Sequence, residues 1–182
     1  MNRKLRLLVT TDCPNKCPMC CNNQFDFSKL PVVDRLNYDE VMITGGEPML
    51  YERKLLNLVR SIRDISEIEC GNIPKVYVYT SLCRSRVLDL IIPEFSSSRV
   101  DGIVLTPHKP ENIEEFLFTN EILLTNPKLS KGVSLRLNLF SDMKALLPED
   151  VNLSAWQVKD MEWKKDCPVP EGEDFRRIAN LW

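Results

Sequence analysis

The 182-residue chain reads as an α/β protein. Short apolar runs of strand length alternate with segments whose apolar residues recur at helical spacing, which is the pattern of βα units around a mainly parallel sheet. No internal repeat or low-complexity segment interrupts the alternation. The length fits a single domain over 1–182, large enough to bury about 70% of its unfolded surface. The strand–helix units occupy about residues 4–160, and a C-terminal tail covers 161–182.

Each element has its own signal. Leu5–Thr10 is the first strand, and a polar, irregular stretch follows from Asn22 to Arg35. Glu40–Thr44 is the second strand and runs into Gly45-Gly46-Glu47-Pro48. From Glu52 to Ile65, Leu55, Leu58, Val59, Ile62 and Ile65 follow the spacing of an amphipathic helix. Lys75–Thr80 is the third strand, with a helix near Ser85–Phe95. Gly102–Thr106 is the fourth, before a helix opened by Asn112 as cap with Glu115 as its capping-box partner. Val133–Phe140 is the fifth, followed by a short helix near Asp142–Leu147, and Ala155–Asp160 is the sixth. The tail, with Pro168 and Pro170, ends in a turn of helix carrying Phe175, Ile178 and Leu181. Six such units are two short of a closed TIM barrel.

Composition narrows the function. A net charge of −2 with scattered basic residues gives no sign of a nucleic-acid surface. The apolar run near the start, Leu7-Leu8-Val9, is too short for a signal-peptide core, and no stretch approaches the ~18 apolar residues of a membrane span. Seven cysteines without a secretion signal point to a reducing cytoplasm, where clustered thiols are metal ligands or catalytic groups more often than disulfides.

Three of those cysteines, Cys13, Cys17 and Cys20, stand as C-x3-C-x2-C just after the first strand. Such a trio can bind three irons of a [4Fe–4S] cluster, whose full ligation takes four cysteines. The remaining iron is then open, and an open position separates a reactive metal site from a sealed one. The alternative is a structural zinc site completed by Cys21 or by the single histidine, His108. Zinc sites usually pair two C-x2-C knuckles, or a knuckle with a His pair, and this chain has neither. Cys70, Cys83 and Cys167 are isolated and read as ordinary thiols.

Strand alternation groups a second set of polar residues. Ser134, Arg136 and Asn138 share one face of the fifth strand, opposite Leu135, Leu137 and Leu139. Gln157 and Lys159 share one face of the sixth, opposite Trp156 and Val158, and Tyr77, Tyr79 and Ser81 align in the third. The leucines should meet outer helices. The polar face then lines either a ligand-filled cavity or a solvated sheet edge, because burying Arg136 and Lys159 without partners would cost several kcal/mol each. His108 and Lys109, after the fourth strand, stand where barrel logic places active sites, at the C-terminal ends of strands.

The cysteine spacing together with the downstream GGEP resembles the radical S-adenosylmethionine (SAM) enzymes from about Leu5 to Lys159. The resemblance implies a partial (β/α)6 TIM-like barrel spanning about residues 4–160, with the cluster loop after the first strand. It implies a [4Fe–4S] cluster on Cys13, Cys17 and Cys20, whose open iron is chelated by the amino and carboxylate groups of SAM. One electron, from an external donor such as flavodoxin or ferredoxin, then splits SAM into methionine and a 5′-deoxyadenosyl radical that takes hydrogen from a substrate. Gly45 and Gly46 resemble the loop whose backbone receives the SAM amino group, so a bulky residue there should block SAM while leaving the cluster. Glu47 and Pro48 belong to the same loop, Glu47 as a structural member without a catalytic role. Met19 stands where many members have an aromatic residue near the adenine. Ser81 falls where many read Thr-Asn-Gly, and Thr106 and Asn138 are implied ribose or carboxylate contacts, although the family's glycine-containing fifth-strand motif is missing. His108, Arg136, Gln157 and Lys159 are the candidate substrate contacts, for an anionic substrate in particular.

Within that class two substrates differ in kind. One is a small molecule, as in the compact 7-carboxy-7-deazaguanine synthases, which share the short core. The other is the backbone of a partner protein, as for the activases of glycyl-radical enzymes. Outside the class stands a non-catalytic Fe–S or zinc-binding module.

Overall fold

The computed structural model describes residues 3–17, 19–23, 26–83, 85–92, 98–164 and 169–182. Pro18, Phe95, Cys167 and Pro168, and the side chain of Cys21, lie outside the described residues. Seven strands form one sheet: β1 (Lys4–Thr10), β2 (Glu40–Gly45), β3 (Lys75–Thr80), β4 (Gly102–Leu105), β5 (Ser134–Phe140), β6 (Gln157–Met161) and β7 (Glu173–Arg177). Their order is β6-β5-β4-β3-β2-β1-β7, and every neighbouring pair is parallel. The chain is therefore α/β, with helices α1 (Glu52–Cys70), α2 (Pro110–Thr125) and α3 (Ser141–Lys144) among its connections. No helix among the described residues is long and apolar enough to cross a membrane.

Alternation sorts the strands into two faces. Leu5, Leu7 and Val9 of β1, Val41 and Ile43 of β2, and Val76 and Val78 of β3 all enter the main core. Leu135, Leu137 and Leu139 of β5 join it, as their side of the strand predicts, together with Leu55, Val59 and Ile62 of α1 and Phe116 of α2. The opposite face presents the polar set, which begins with Arg6 and Tyr79.

Four local expectations are corrected. The tail is not a helical turn: Glu173–Arg177 pairs in register with Lys4–Leu8, because the edge of β1 offers unpaired backbone groups. Asn112 does not cap α2, which starts two residues earlier with Lys109 at the cap and Pro110 in its first turn; proline's fixed φ suits that position. Asn112 is buried within the helix instead and accepts the His108 N–H through Oδ1 at 3.3 Å. Helix α1 runs past Ile65 to Cys70, where Gly71 closes it at φ 68°, and Ile65 is left exposed while Ser66 is buried and donates to the Leu36 carbonyl. Val158, expected against an outer helix, is 42% exposed, since β6 is an edge strand and no helix among the described residues follows it.

Phe116 is fully buried and meets the Trp156 ring edge-on at 5.3 Å, while the Trp156 indole donates to Asn120 Oδ1 at 3.1 Å. Phe116→Ala removes the largest fully buried side chain among the described residues. It should lower the unfolding free energy by about 3–5 kcal/mol, measured by urea denaturation.

Candidate functional site

Strand β1 pairs with β2 in simple register to Leu8–Thr44, then slips so that Thr10 faces Gly45. Such an irregularity re-aims the chain, and here it turns β1 out into the cysteine loop. The two loops then continue side by side. The Gly46 N–H donates to the Thr10 carbonyl and the Glu47 N–H to the Asp12 carbonyl, both at 2.7 Å. Only glycine permits this approach: a Cβ on Gly45 would lie 2.3 Å from the Thr10 oxygen, and one on Gly46 2.1 Å from the Asp12 oxygen. The expectation that a bulky residue at Gly46 would spare the cysteine loop is thereby corrected, because its first carbon meets that loop's own backbone.

Glu47 anchors the arrangement. Its carboxylate is buried and caps the 3-10 turn Pro48–Tyr51, with Oε1 accepting the Met49 N–H at 3.0 Å and the Thr80 hydroxyl at 2.6 Å. Oε2 accepts the Ser81 N–H at 2.8 Å and the Ser81 hydroxyl at 2.6 Å. Ser81 Oγ in turn accepts from the Asn15 side-chain amide at 2.7 Å, which ties the cysteine loop to the end of β3. Lys109 reaches the same loop from the start of α2, donating to the Pro14 carbonyl at 2.7 Å. Tyr51 donates to Asp12 Oδ2, and its ring packs edge-on against Trp182.

These loops form the mouth of a cleft of about 800 Å³ at the C-terminal ends of the strands. Cys13, Cys17 and Cys20 line it together, all partly exposed and none in a disulfide. Met19, Gly45, Gly46 and Glu47 line it beside them, as do Ser81, Thr106, His108 and Lys159. Pro48 is buried just behind, opening its turn. Asn138 is half-buried and donates to Thr106 Oγ1 at 3.2 Å. Arg136 and Gln157 are exposed and do not line the cleft; the Arg136 guanidinium lies over the Tyr77 ring at 5.5 Å. Each stands four residues before the C-terminal end of its strand.

Burial pushes the Cys13 thiol up and takes Cys17 to about 11, with the neighbouring thiols adding to it. Soft thiolate sets suit iron–sulfur clusters and zinc, and metal binding releases their protons. Asn15 Oδ1 is buried beside this loop with no hydrogen-bond partner, an acceptor available to a bound ammonium or hydroxyl group. The residues present therefore fit a thiolate-bound centre with a polar ligand beside it. Among the described residues no group of three or more His, Cys, Asp or Glu side chains gathers where a single metal ion could sit.

The far wall is aromatic. Phe140 and Trp163 stack with centroids 3.9 Å apart, and the His108 ring packs 5.5 and 5.6 Å from them. His108 Nδ1 is buried without a partner, and burial lowers its pKa against a small opposing pull from Asp142. Sequence reasoning missed Phe140, Trp163, Arg6 and Phe175 as cleft residues. Arg6 carried a signal, a lone arginine alternating with leucines in β1, whereas Phe175 depended on a strand read as helix.

No family model matches the chain, and no curated protein matches it in sequence.

Two outcomes follow from this geometry. Glu47→Gln places an amide N–H₂ against groups that themselves donate, so it should lower stability by about 2–3 kcal/mol in urea unfolding. Burial favours the neutral form of folded His108; the stability linked to it is fully present above its unfolded pKa of about 6.5 and is lost as the pH falls from there through the lowered folded value. Urea midpoints of the wild type should therefore drop between pH 7.5 and 5 by more than those of His108→Phe.

Proposed function

We propose that this protein is a radical SAM enzyme, with Cys13, Cys17 and Cys20 holding a [4Fe–4S] cluster and Gly45, Gly46 and Ser81 contributing to the SAM site. One observation carries the reading: the thiol trio and the GGEP loop, 25 residues apart between Cys20 and Gly45, are hydrogen-bonded side by side at the mouth of one cleft. Glycines chosen only for a tight turn would not require the cysteine loop as their neighbour.

A [4Fe–4S] cluster held by Cys13, Cys17 and Cys20 would supply the electron for reductive cleavage of SAM, the source of the radical that would take hydrogen from the substrate. The chain's residues do the rest. Glu47 holds the loops in register, Asn15 Oδ1 offers an acceptor to SAM's ammonium, and Met19 supplies apolar contact at the mouth. Thr106, with Asn138 behind it, offers a hydroxyl to the ribose. A flavodoxin or ferredoxin is the expected electron donor.

The fold reading behind this proposal is a partial (β/α)6 barrel, β1–β6, extended by β7. Lys159 of β6 and Phe175 of β7 line the same cleft although their strands are opposite edges of the sheet. Six inter-strand spacings in a flat sheet would separate them by about 29 Å, so the sheet wraps around the cleft. Trp163, Val169 and Pro170, from the connection between those edges, also line it. That narrowing favours a small-molecule substrate, of the kind taken by the compact synthases, over the backbone of a partner protein.

Anaerobically reconstituted protein should carry about four iron and four sulfide per chain. Replacing Cys13, Cys17 or Cys20 by Ala should remove the cluster, and Cys70→Ala should not. With dithionite and SAM the wild type should release 5′-deoxyadenosine and methionine in equal amounts, read by liquid chromatography. A full cluster in all three Ala variants, or SAM left intact by the loaded wild type, would overturn the reading.

A further inference from the structure

We propose that Arg6 is the anchor for an oxyanion of the substrate, a carboxylate or phosphoryl group held on the floor of the cleft. The inference rests on the reading of the cleft as a reaction chamber and adds the class of substrate to it.

Arg6 lies in the middle of β1 on the polar face, in register with Met42 and Phe175. Two contacts fix its guanidinium. Nε donates to Glu173 Oε2 at 2.7 Å, and the guanidinium carbon sits 5.2 Å from the centre of the Tyr79 ring. The pair is largely withdrawn from water, with side-chain exposures of 20% for Arg6 and 11% for Glu173. Arg6 lines the cleft, whereas Glu173 lines a separate groove with Arg3 and Lys4. The carboxylate thus holds the guanidinium from behind.

What remains is a fork without a ligand. Guanidinium has five N–H donors in a rigid plane, and only the Nε–H has a hydrogen-bond partner among the described residues. The Nη edge matches two oxygens of a carboxylate or phosphate. Because the ion pair and the Tyr79 face already fix the plane, little conformational freedom is left to lose on binding. A second cation, Lys159, lines the same cleft with no ion pair among the described residues.

Depth separates this anchor from the SAM site. Arg6 stands four residues before Thr10 along β1, about 13 Å below the loops at the mouth. In the proposed reaction SAM would be held at that mouth, beside Cys13, Cys17 and Cys20, so an oxyanion at Arg6 would belong to the other ligand.

The test uses inorganic phosphate and succinate as probes on the reconstituted full chain. Isothermal titration should show one saturable site, unaffected by saturating SAM and weakened about tenfold or more in Arg6→Lys, which keeps the charge but loses the fork. The double variant R6Q/E173Q, which leaves no unpaired charge, should bind equally poorly. In the wild type, phosphate should protect Arg6 but not Arg136 from phenylglyoxal, read by peptide mass spectrometry; this arm needs no variant to fold. Absence of binding, unchanged affinity in the variants, unprotected Arg6, or displacement of the probes by SAM would each overturn the proposal, the last by assigning the site to SAM's carboxylate. None of these readouts needs SAM cleavage. Arg6-dependent binding without 5′-deoxyadenosine would sink the functional reading alone, and 5′-deoxyadenosine without such binding would sink this inference alone.

Discussion

A single buried carboxylate holds the functional end of this protein in one piece. Glu47 accepts four hydrogen bonds from Met49, Thr80 and Ser81 while its own backbone N–H is tied to Asp12. A buried carboxylate without such donors would be strongly unfavourable. The cysteine loop, the turn into α1 and the end of β3 therefore cannot drift apart without stranding it. Ser81 passes the constraint on to Asn15, and so to the thiols themselves.

The same end of the molecule combines firm loop geometry with two thiols, Cys13 and Cys17, that burial holds back from ionising. Cys17 sits at about 11 because it is partly buried next to two other thiols. Free thiolate chemistry is disfavoured at Cys17, and a metal centre bound there would have to displace its proton. The cleft beneath it is asymmetric: polar loops at the mouth, the His108–Phe140–Trp163 stack on one wall, and Arg6 against Tyr79 on the floor. The β7 segment contributes to that floor twice, through Phe175 in the lining and through Glu173 behind Arg6.

Much of the fold was legible because its signals are local. Alternation in β5 separated Leu135, Leu137 and Leu139 from Arg136 and Asn138, and the core contains the leucines. The spacing of Leu55, Val59 and Ile62 marked the buried face of α1. The end of α1 was not legible from apolar periodicity, since the buried position near its end is a serine satisfied by the Leu36 carbonyl. The start of α2 was misread because Asn112 has a capping side chain, yet Pro110, with no N–H to satisfy, fits the first turn better.

For the candidate site, the sequence alone determined the three thiols and the GGEP loop, since their spacing and residue types are properties of the chain. Tertiary structure decided what those residues do to one another. That Gly46 is a glycine on account of Asp12 depends on two loops brought together by a slipped strand register. That Lys159 and Arg6 line the cleft while Arg136 and Gln157 do not is decided by the tertiary arrangement, which alternation cannot express. That Phe175 faces the same space as Cys13 depends on a parallel pairing between residues about 170 positions apart, where the free edge of β1 outweighs any local preference of the tail. Face and spacing are written locally; depth and partnership are set by which edges and surfaces remain to be satisfied once the sheet has formed.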